Sequence, residues 1–151
     1  MRGLNLNPLL CGFAILGPEA SPPRFFPAPP LGGTSLPFSE AVQLGILLFV
    51  SGQIGNLPGQ LDVVPGGLVA EARQALENIK AIVERHGSSL QYVVKCTVFL
   101  ADMREWGAFN DVYRRYFSQD LPARSALGAS GLALGARVEV ECVAYVPAAR
   151  A

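Results

Sequence analysis

Arg137-Val-Glu-Val-Glu-Cys-Val-Ala-Tyr-Val146 decides the fold, because apolar residues alternate with charged or mixed ones along the whole stretch. A period of two sends successive side chains to opposite faces of a sheet, so the stretch predicts a strand with one buried face. The residues on the face that suits packed helices are Val138, Val140, Cys142, Ala144 and Val146. The other face mixes ionisable and large apolar side chains: Arg137, Glu139, Glu141, Val143 and Tyr145.

Two further strand signals lie earlier in the chain. Residues 40–54 hold two apolar runs separated by Gly45, which predicts a hairpin. Residues 93–100 are rich in β-branched side chains and predict another strand. Its expected helix-facing residues are Val94, Cys96, Val98 and Leu100.

Two helices are predicted from apolar residues that recur every three or four positions. The first begins at Leu68 and ends near His86, where Gly87 suits a left-handed helix end. The second lies within 104–117 and is followed by Pro122. Three of its aromatic residues are expected in the core: Trp106, Tyr113 and Tyr116.

The element order β-β-α-β-α-β predicts an α+β domain, with two helices packed on one face of a mixed sheet. One small domain cannot cover both faces of its sheet. The open face carries Phe, Val and Tyr side chains beside charged ones, so we expect it to contact other subunits. An ordinary solvated face is the alternative interpretation.

The chain divides near residue 37, because eight of its twelve prolines lie in residues 1–37. Proline removes backbone donors and is excluded from helix interiors, so residues 1–36 are interpreted as a Pro-rich tail or strap. Residues 37–151 then form the domain. We expect a cytoplasmic protein; a secretory signal in residues 1–21 is the weaker alternative, since Gly12 and Gly17 interrupt its apolar run.

Composition restricts the function. The chain has 151 residues with 12 basic and 12 acidic side chains, so nucleic-acid binding is not expected. No apolar run approaches the roughly 20 residues that span a bilayer, and no membrane association is expected. With one histidine and no CxxC pair, a zinc site is not expected. Cys96 and Cys142 are expected to be buried, reduced and inert.

Arg124 and Glu139 are the residues best suited to chemistry. A guanidinium can hold a carboxylate through two parallel hydrogen bonds, and a carboxylate can accept a proton from water. Together they could bind an organic acid and deliver water to its neighbouring carbon. From the residues alone, a structural ion pair is the commoner interpretation of such a couple.

A resemblance to a known family favours the chemical interpretation. Residues 37–146 resemble the Rid family, the RidA/YjgF-type enamine/imine deaminases, and the motifs occur in the family's order. The matching text is Pro37-Phe-Ser-Glu-Ala-Val42, Phe49-Val-Ser-Gly-Gln-Ile54, Ala75-Leu-Glu-Asn-Ile-Lys-Ala-Ile82, Val93-Val-Lys-Cys-Thr-Val-Phe-Leu-Ala-Asp102, Asn110-Asp-Val-Tyr113, Pro122-Ala-Arg-Ser125 and Val138-Glu-Val-Glu141.

The resemblance implies a chorismate-mutase-like fold and a homotrimer with ligand clefts between adjacent subunits. It implies hydrolysis of small 2-imino or enamine acids, such as 2-iminobutanoate and 2-iminopropanoate, to 2-keto acids and ammonia, without a cofactor. The family's carboxylate-binding arginine falls on Arg124 and its water-activating glutamate on Glu139. Ser51 and Asn110 match residues that line the family's cleft.

Two positions depart from the family's pattern. Phe38 stands where the family usually has tyrosine, so a hydroxyl contact is missing, and Ala126 stands where it often has cysteine. The glycine-rich stretch 127–132 also differs and lies near the implied site. These departures leave a second interpretation open: a metabolite-binding protein that holds a small acid in the same cleft without turnover.

Overall fold

The computed structural model describes residues 21–148, which form a mixed six-stranded sheet and two α-helices. The elements are β1 (Arg24–Pro27), β2 (Ser39–Leu44), β3 (Leu47–Ile54), α1 (Gly67–Arg85), β4 (Val93–Leu100), α2 (Trp106–Tyr116), β5 (Ala123–Gly128) and β6 (Val138–Tyr145). The strand order is β1-β2-β3-β6-β4-β5, and all neighbours are antiparallel except β4 and β5. The predicted α+β class is confirmed.

Two strands of the sheet, β1 and β5, are absent from the predicted element order. β1 is four residues long and ends in Pro27, and β5 follows Pro122 and ends in Gly128. Both are edge strands, and both are too short or too rich in breaking residues to show a period of two. The signal interpretation of residues 1–21 falls almost entirely outside the described residues.

The core lies between the helices and one face of the sheet. α1 and α2 contribute Leu76, Ile79, Val83, Phe109 and Val112, all fully or almost fully buried. β6 is a central strand, and the side chains of Val138, Val140, Cys142 and Ala144 are buried as its alternation predicts.

The predicted face of one β4 residue is wrong. Val94 is 48% exposed, and its neighbour Val93 is buried instead. The β4–β6 pairing shifts register between Val93 and Lys95, which inserts an extra residue and reverses the alternation at the strand's start. From Cys96 onward the predicted face is confirmed.

Cys96 and Cys142 lie directly opposite each other on β4 and β6, with their Cα atoms 4.2 Å apart. Both are buried, as expected, and their sulfur atoms face each other in the position of a cross-strand disulfide, which the expectation of two separate thiols did not foresee. The cross-strand register, which their spacing of 46 residues does not reveal, brings the two sulfur atoms together.

Residues 24–36, called the strap below, are attached to the domain at both ends. Phe26 stacks on His86 at the end of α1, with ring centroids 3.9 Å apart, and His86 Nε2 lies 2.8 Å from Glu40 Oε1. At the other end the amide of Gly32 donates to the carbonyl of Gly59. The strap therefore covers part of the domain surface.

The sheet face opposite the helices is open and partly apolar. Phe49 and Val94 are both exposed there, and Val143, the partner of Phe49 across β3 and β6, is half-buried. Among residues 21–148, no helix is long and apolar enough to cross a membrane.

Candidate functional site

Glu139 points from β6 to the open face of the sheet, between its strand partners Ile54 and Phe99. Its carboxylate lies directly over Gly52, where a Cβ would overlap Oε1. Burial raises the pKa of the Glu139 carboxyl above its ordinary value, and the nearby charge of Glu141 raises it further. Within the described residues, no salt bridge ties Glu139 to a cation.

A cavity of about 420 Å³ opens beside Glu139. Its walls come from the strap, the end of β3 and the loop after it, the C-terminal half of α1, and the turn before β6. Phe38 and Gln53 line it together with Glu139, so the structure brings Phe38 and Glu139 to one place. Most of its lining is apolar. The volume lies within the range of small-molecule sites, about 300–1,000 Å³.

The start of β6 is fixed by two carboxylates. Glu71 on α1 is only 3% exposed, and its Oε2 accepts a hydrogen bond of 2.7 Å from the backbone N–H of Arg137. The Arg137 guanidinium forms a two-pronged contact with the Glu105 carboxylate, at 2.6 Å for the shortest bond. Both contacts hold the backbone two residues before Glu139. Sequence patterns did not identify Glu71, although it lies within the buried stripe of α1, three residues after Leu68 and four before Ala75. A carboxylate at such a position is a sign of a buried hydrogen-bond partner.

Ser51 serves a local structural purpose in this chain. The β3–β6 pairing shifts between Val50 and Gln53, and the Ser51 Oγ donates to the Ser39 carbonyl at 2.7 Å. The Gln53 side-chain amide donates to the carbonyls of Ser51 and Gly52. These bonds stabilise the irregular end of β3, where the backbone passes under the Glu139 carboxylate.

Arg124 lies on the other face of the sheet. It pairs in register with buried Cys96, so its side chain extends toward α2, where Nη2 donates to Asn110 Oδ1 at 2.6 Å. Its guanidinium carbon lies 4.6 Å from the centre of the Tyr113 ring and 5.7 Å from that of Phe109. Such contacts between a guanidinium and aromatic faces are attractive and restrict its orientation.

Two predicted core aromatics form part of this arrangement. Trp106 is 45% exposed, so its core assignment is wrong; it begins α2 at the helix edge, and its ring centre lies 6.0 Å from the Arg124 guanidinium. Tyr113 is buried as predicted, and burial raises its pKa to about 12. The Tyr113 hydroxyl is buried without a hydrogen-bond partner in the described chain.

Ala126 follows Arg124 by two residues on β5 and packs against the edge of the core. It therefore shares the face of Arg124. The predicted site residues thus fall into two groups: Arg124, Asn110 and Ala126 on the helix side near the β5 edge, and Glu139, Ser51 and Phe38 around the end of β3. Arg124 does not line the cavity, and no ion pair joins it to Glu139 in residues 21–148. One copy of the chain does not bring the two residues together.

Comparisons with known proteins agree on one family. A family model described as Endoribonuclease L-PSP matches residues 32–146. The chain is 45% identical over 108 residues to a Mus musculus protein named 2-iminobutanoate/2-iminopropanoate deaminase, covering 72% of this chain and 80% of the relative. A Homo sapiens protein of the same name is 41% identical, covering 72% and 79% of the two chains.

Solved structures show the same fold. The crystal structure of E. coli TdcF with bound serine is 30% identical, with a TM-score of 0.73, and covers 82% of this chain and all of that one. The crystal structure of RidA from a Psychrobacter species is 38% identical, with a TM-score of 0.70, and covers 74% and 89%. The matched length, the shared fold and the motifs lead to one conclusion: the chain belongs to the YjgF/RidA family.

Proposed function

We propose that this protein hydrolyses small 2-imino and enamine acids to 2-keto acids and ammonia, in a cleft formed between two copies of the chain. Arg124, Asn110 and Ala126 come from one copy, and Glu139, Ser51 and Phe38 from its neighbour. The observation that carries the proposal is the Glu139 carboxylate: half-buried, at a cavity wall, with a raised pKa and no cation paired to it within residues 21–148.

The roles of the residues follow from their chemistry. Arg124 binds the substrate carboxylate, with its guanidinium already oriented by Asn110 and the aromatic rings. Glu139 accepts a proton from water as the water oxygen bonds to the iminium carbon, and the C=N electron pair moves to nitrogen. The C–N bond of the resulting adduct then breaks. Glu139 returns its proton to the nitrogen, which leaves as ammonia with the C–N electron pair. The hydroxyl oxygen forms the C=O double bond and gives its proton to water, so the 2-keto acid and the Glu139 carboxylate remain.

The iminium carbon is already electrophilic, so the protein needs only to place water, carboxylate and base together. Such placement alone can lower a barrier by several kcal/mol, about 7–11 at the upper end. A raised pKa brings Glu139 closer to the working pH, where a base accepts and returns a proton most effectively.

Three findings support the proposal. Relatives at 41–45% identity are named imine deaminases. A structural relative holds serine, a molecule of the size and carboxylate chemistry expected for this substrate class. The exposed apolar groups on the open face suit contact with further copies, in line with the homotrimer that we propose.

The test is a coupled assay on the full chain, in which an amino-acid oxidase generates 2-imino acids and 2-keto acid release is timed. Arg124→Ala and Glu139→Gln should each abolish the acceleration. Arg115→Ala and Glu84→Gln, exposed helix positions of matching charge, should keep it. Full activity in Arg124→Ala, with the oligomer intact, would contradict the proposal.

A second candidate is a binding protein without turnover. Phe38 lines the cavity and is 52% exposed, with no hydroxyl to assist a reaction. Saturable binding of a 2-keto acid by calorimetry, together with no acceleration of imine hydrolysis, would favour this function over the first.

A further inference from the structure

We propose that the cavity beside Glu139 receives a branched or aromatic side chain of the 2-imino acid, and that Leu134 selects for such substrates. The inference rests on the proposed deaminase function and names its substrate class. It extends beyond the small imines in the names of the relatives.

The first observation is the backbone conformation of Leu134 and its place in the cavity wall. It lies in the short turn before β6, with φ +56° and ψ +21°, and its side chain lines the cavity. A leucine in this left-handed conformation is strained, because its Cβ approaches the following carbonyl oxygen. Glycine would adopt the conformation without that strain. The leucine side chain therefore adds apolar surface to the cavity wall at a conformational cost to the turn.

The second observation is the apolar character of the remaining wall near Glu139. Phe38, Leu36, Ile54 and Ile82 line the same space. At about 420 Å³ the cavity has room for considerably more than the methyl or ethyl group of the smallest imino acids.

The third observation is that the side-chain amides of Asn78 and Gln53 in the wall are already partnered. The Asn78 amide donates to the carbonyls of Ile54 and Asn56, and the Gln53 amide donates to Ser51 and Gly52. Arg85 Nε faces Glu40 Oε1 at 3.6 Å. Away from the half-exposed Arg85 guanidinium, these amides offer a polar substituent few free groups, whereas an apolar side chain would displace water from an apolar wall.

The test compares kcat/KM for the imines of alanine, leucine and phenylalanine, generated by the same oxidase. The wild-type chain should hydrolyse the leucine or phenylalanine imine at least as efficiently as the alanine imine. Leu134→Gly should lower the ratio of kcat/KM for the leucine imine to kcat/KM for the alanine imine about tenfold, which is the effect of removing a few apolar contacts. Its thermal stability should not fall, because the strain is removed.

Asp120→Gly is the matched control. Asp120 is the other non-glycine residue with positive φ in the described chain, at +48°, and it does not line the cavity. This variant should leave the substrate ratio unchanged. Ala81→Phe, from an exposed α1 position that lines the cavity, should lower kcat/KM for the larger imines more than for the alanine imine.

Hydrolysis of the alanine imine alone, with no activity on the larger ones, would overturn this inference and leave the deaminase proposal standing. If the wild type hydrolyses none of the three, the deaminase proposal fails. Calorimetric titration with 4-methyl-2-oxopentanoate and with pyruvate then tests whether the cavity binds the larger side chain more tightly. A preference for the larger acid that Leu134→Gly removes would support it, and equal affinity would overturn it.

Discussion

At the scale of the residue, Glu139 combines a chemical role with a cost to stability. Burial disfavours its charged form, so its pKa in the folded chain lies above the value in the unfolded chain. The folded state therefore holds its proton more tightly, and stability falls as pH rises from the unfolded to the folded pKa. At neutral pH the ionised carboxylate destabilises the fold, while ionisation is what makes it a base.

Glu139→Gln should separate these effects. We expect imine hydrolysis to fall by about 10²–10⁴-fold, the usual contribution of a general base. Thermal unfolding at pH 7 should occur at a higher temperature than in the wild type. The difference should shrink as the pH falls from the folded pKa toward about 4.3, the usual pKa of glutamate in an unfolded chain, and should vanish below it. A variant less stable than wild type at pH 7 would contradict the assigned cause of the pKa shift.

Glu141→Gln tests the electrostatic part of the same shift. It removes the like charge that raises the Glu139 pKa. The acid limb of the pH–rate profile, in which activity rises as Glu139 ionises, should move to lower pH. An unmoved limb would show that Glu139 does not control that limb.

Gly52 positions the Glu139 carboxylate by lacking a side chain. A Cβ at Gly52 would overlap the carboxylate, so Gly52→Ala should displace it and lower kcat more than it alters thermal stability. Gly107→Ala is the control, since its Cβ would meet no atom within 4 Å. In α2 this change should keep activity and stabilise the fold by about 0.5–1 kcal/mol. Equal kcat in Gly52→Ala and wild type would rule out the steric role.

At the scale of the element, the helix–strand contact through Glu71 places β6. Glu71→Ala would leave the Arg137 amide, which points at buried Glu71, without its acceptor, so we expect a loss of about 1–3 kcal/mol in denaturant unfolding. Glu71→Gln keeps an oxygen acceptor and should recover most of that stability. The same ordering should hold for activity, because the bond lies two residues before Glu139. Equal stability of the Ala and Gln variants would show that the bond contributes little.

The elements that sequence could predict are those with a clear period. α1, β4 and β6 are long enough for their alternation or helical spacing to emerge from the residues alone. β1 and β5 are not, and the bulge at Val93–Lys95 reverses a face without any local signal. Motif resemblance indicated Arg124 and Glu139. Sequence spacing does not reveal their surroundings, because the aromatic rings around Arg124 and the position of Leu134 in the cavity wall depend on tertiary packing.

At the scale of the whole molecule, the proposed site needs two copies of the chain, because Arg124 and Glu139 leave opposite faces of one sheet. Arg124→Ala and Glu139→Gln should each be inactive alone. Subunits mixed by co-expression should regain part of the activity, since some clefts then combine an intact Arg124 with an intact Glu139.

The control for this mixing experiment pairs Arg124→Ala with the double variant Arg124→Ala/Glu139→Gln, which leaves no cleft with both residues. Light scattering should give the mass of three copies for all variants. No recovery in the test mixture of intact trimers would place both residues in the same subunit's site. Recovery in the control mixture would show that activity does not require Arg124.

The strap also affects how the folded sheet interacts with other molecules. β1 pairs with the outer side of β2, so without it β2 would present a row of unpaired backbone groups to other molecules. β1 is itself a poor template, being four residues long, with Arg24 at its start and Pro27 at its end. A chain shortened to residues 37–151 should therefore aggregate more readily than the full chain on mild heating. The strap therefore lines the cavity and also prevents β2 from pairing with an edge strand of another molecule.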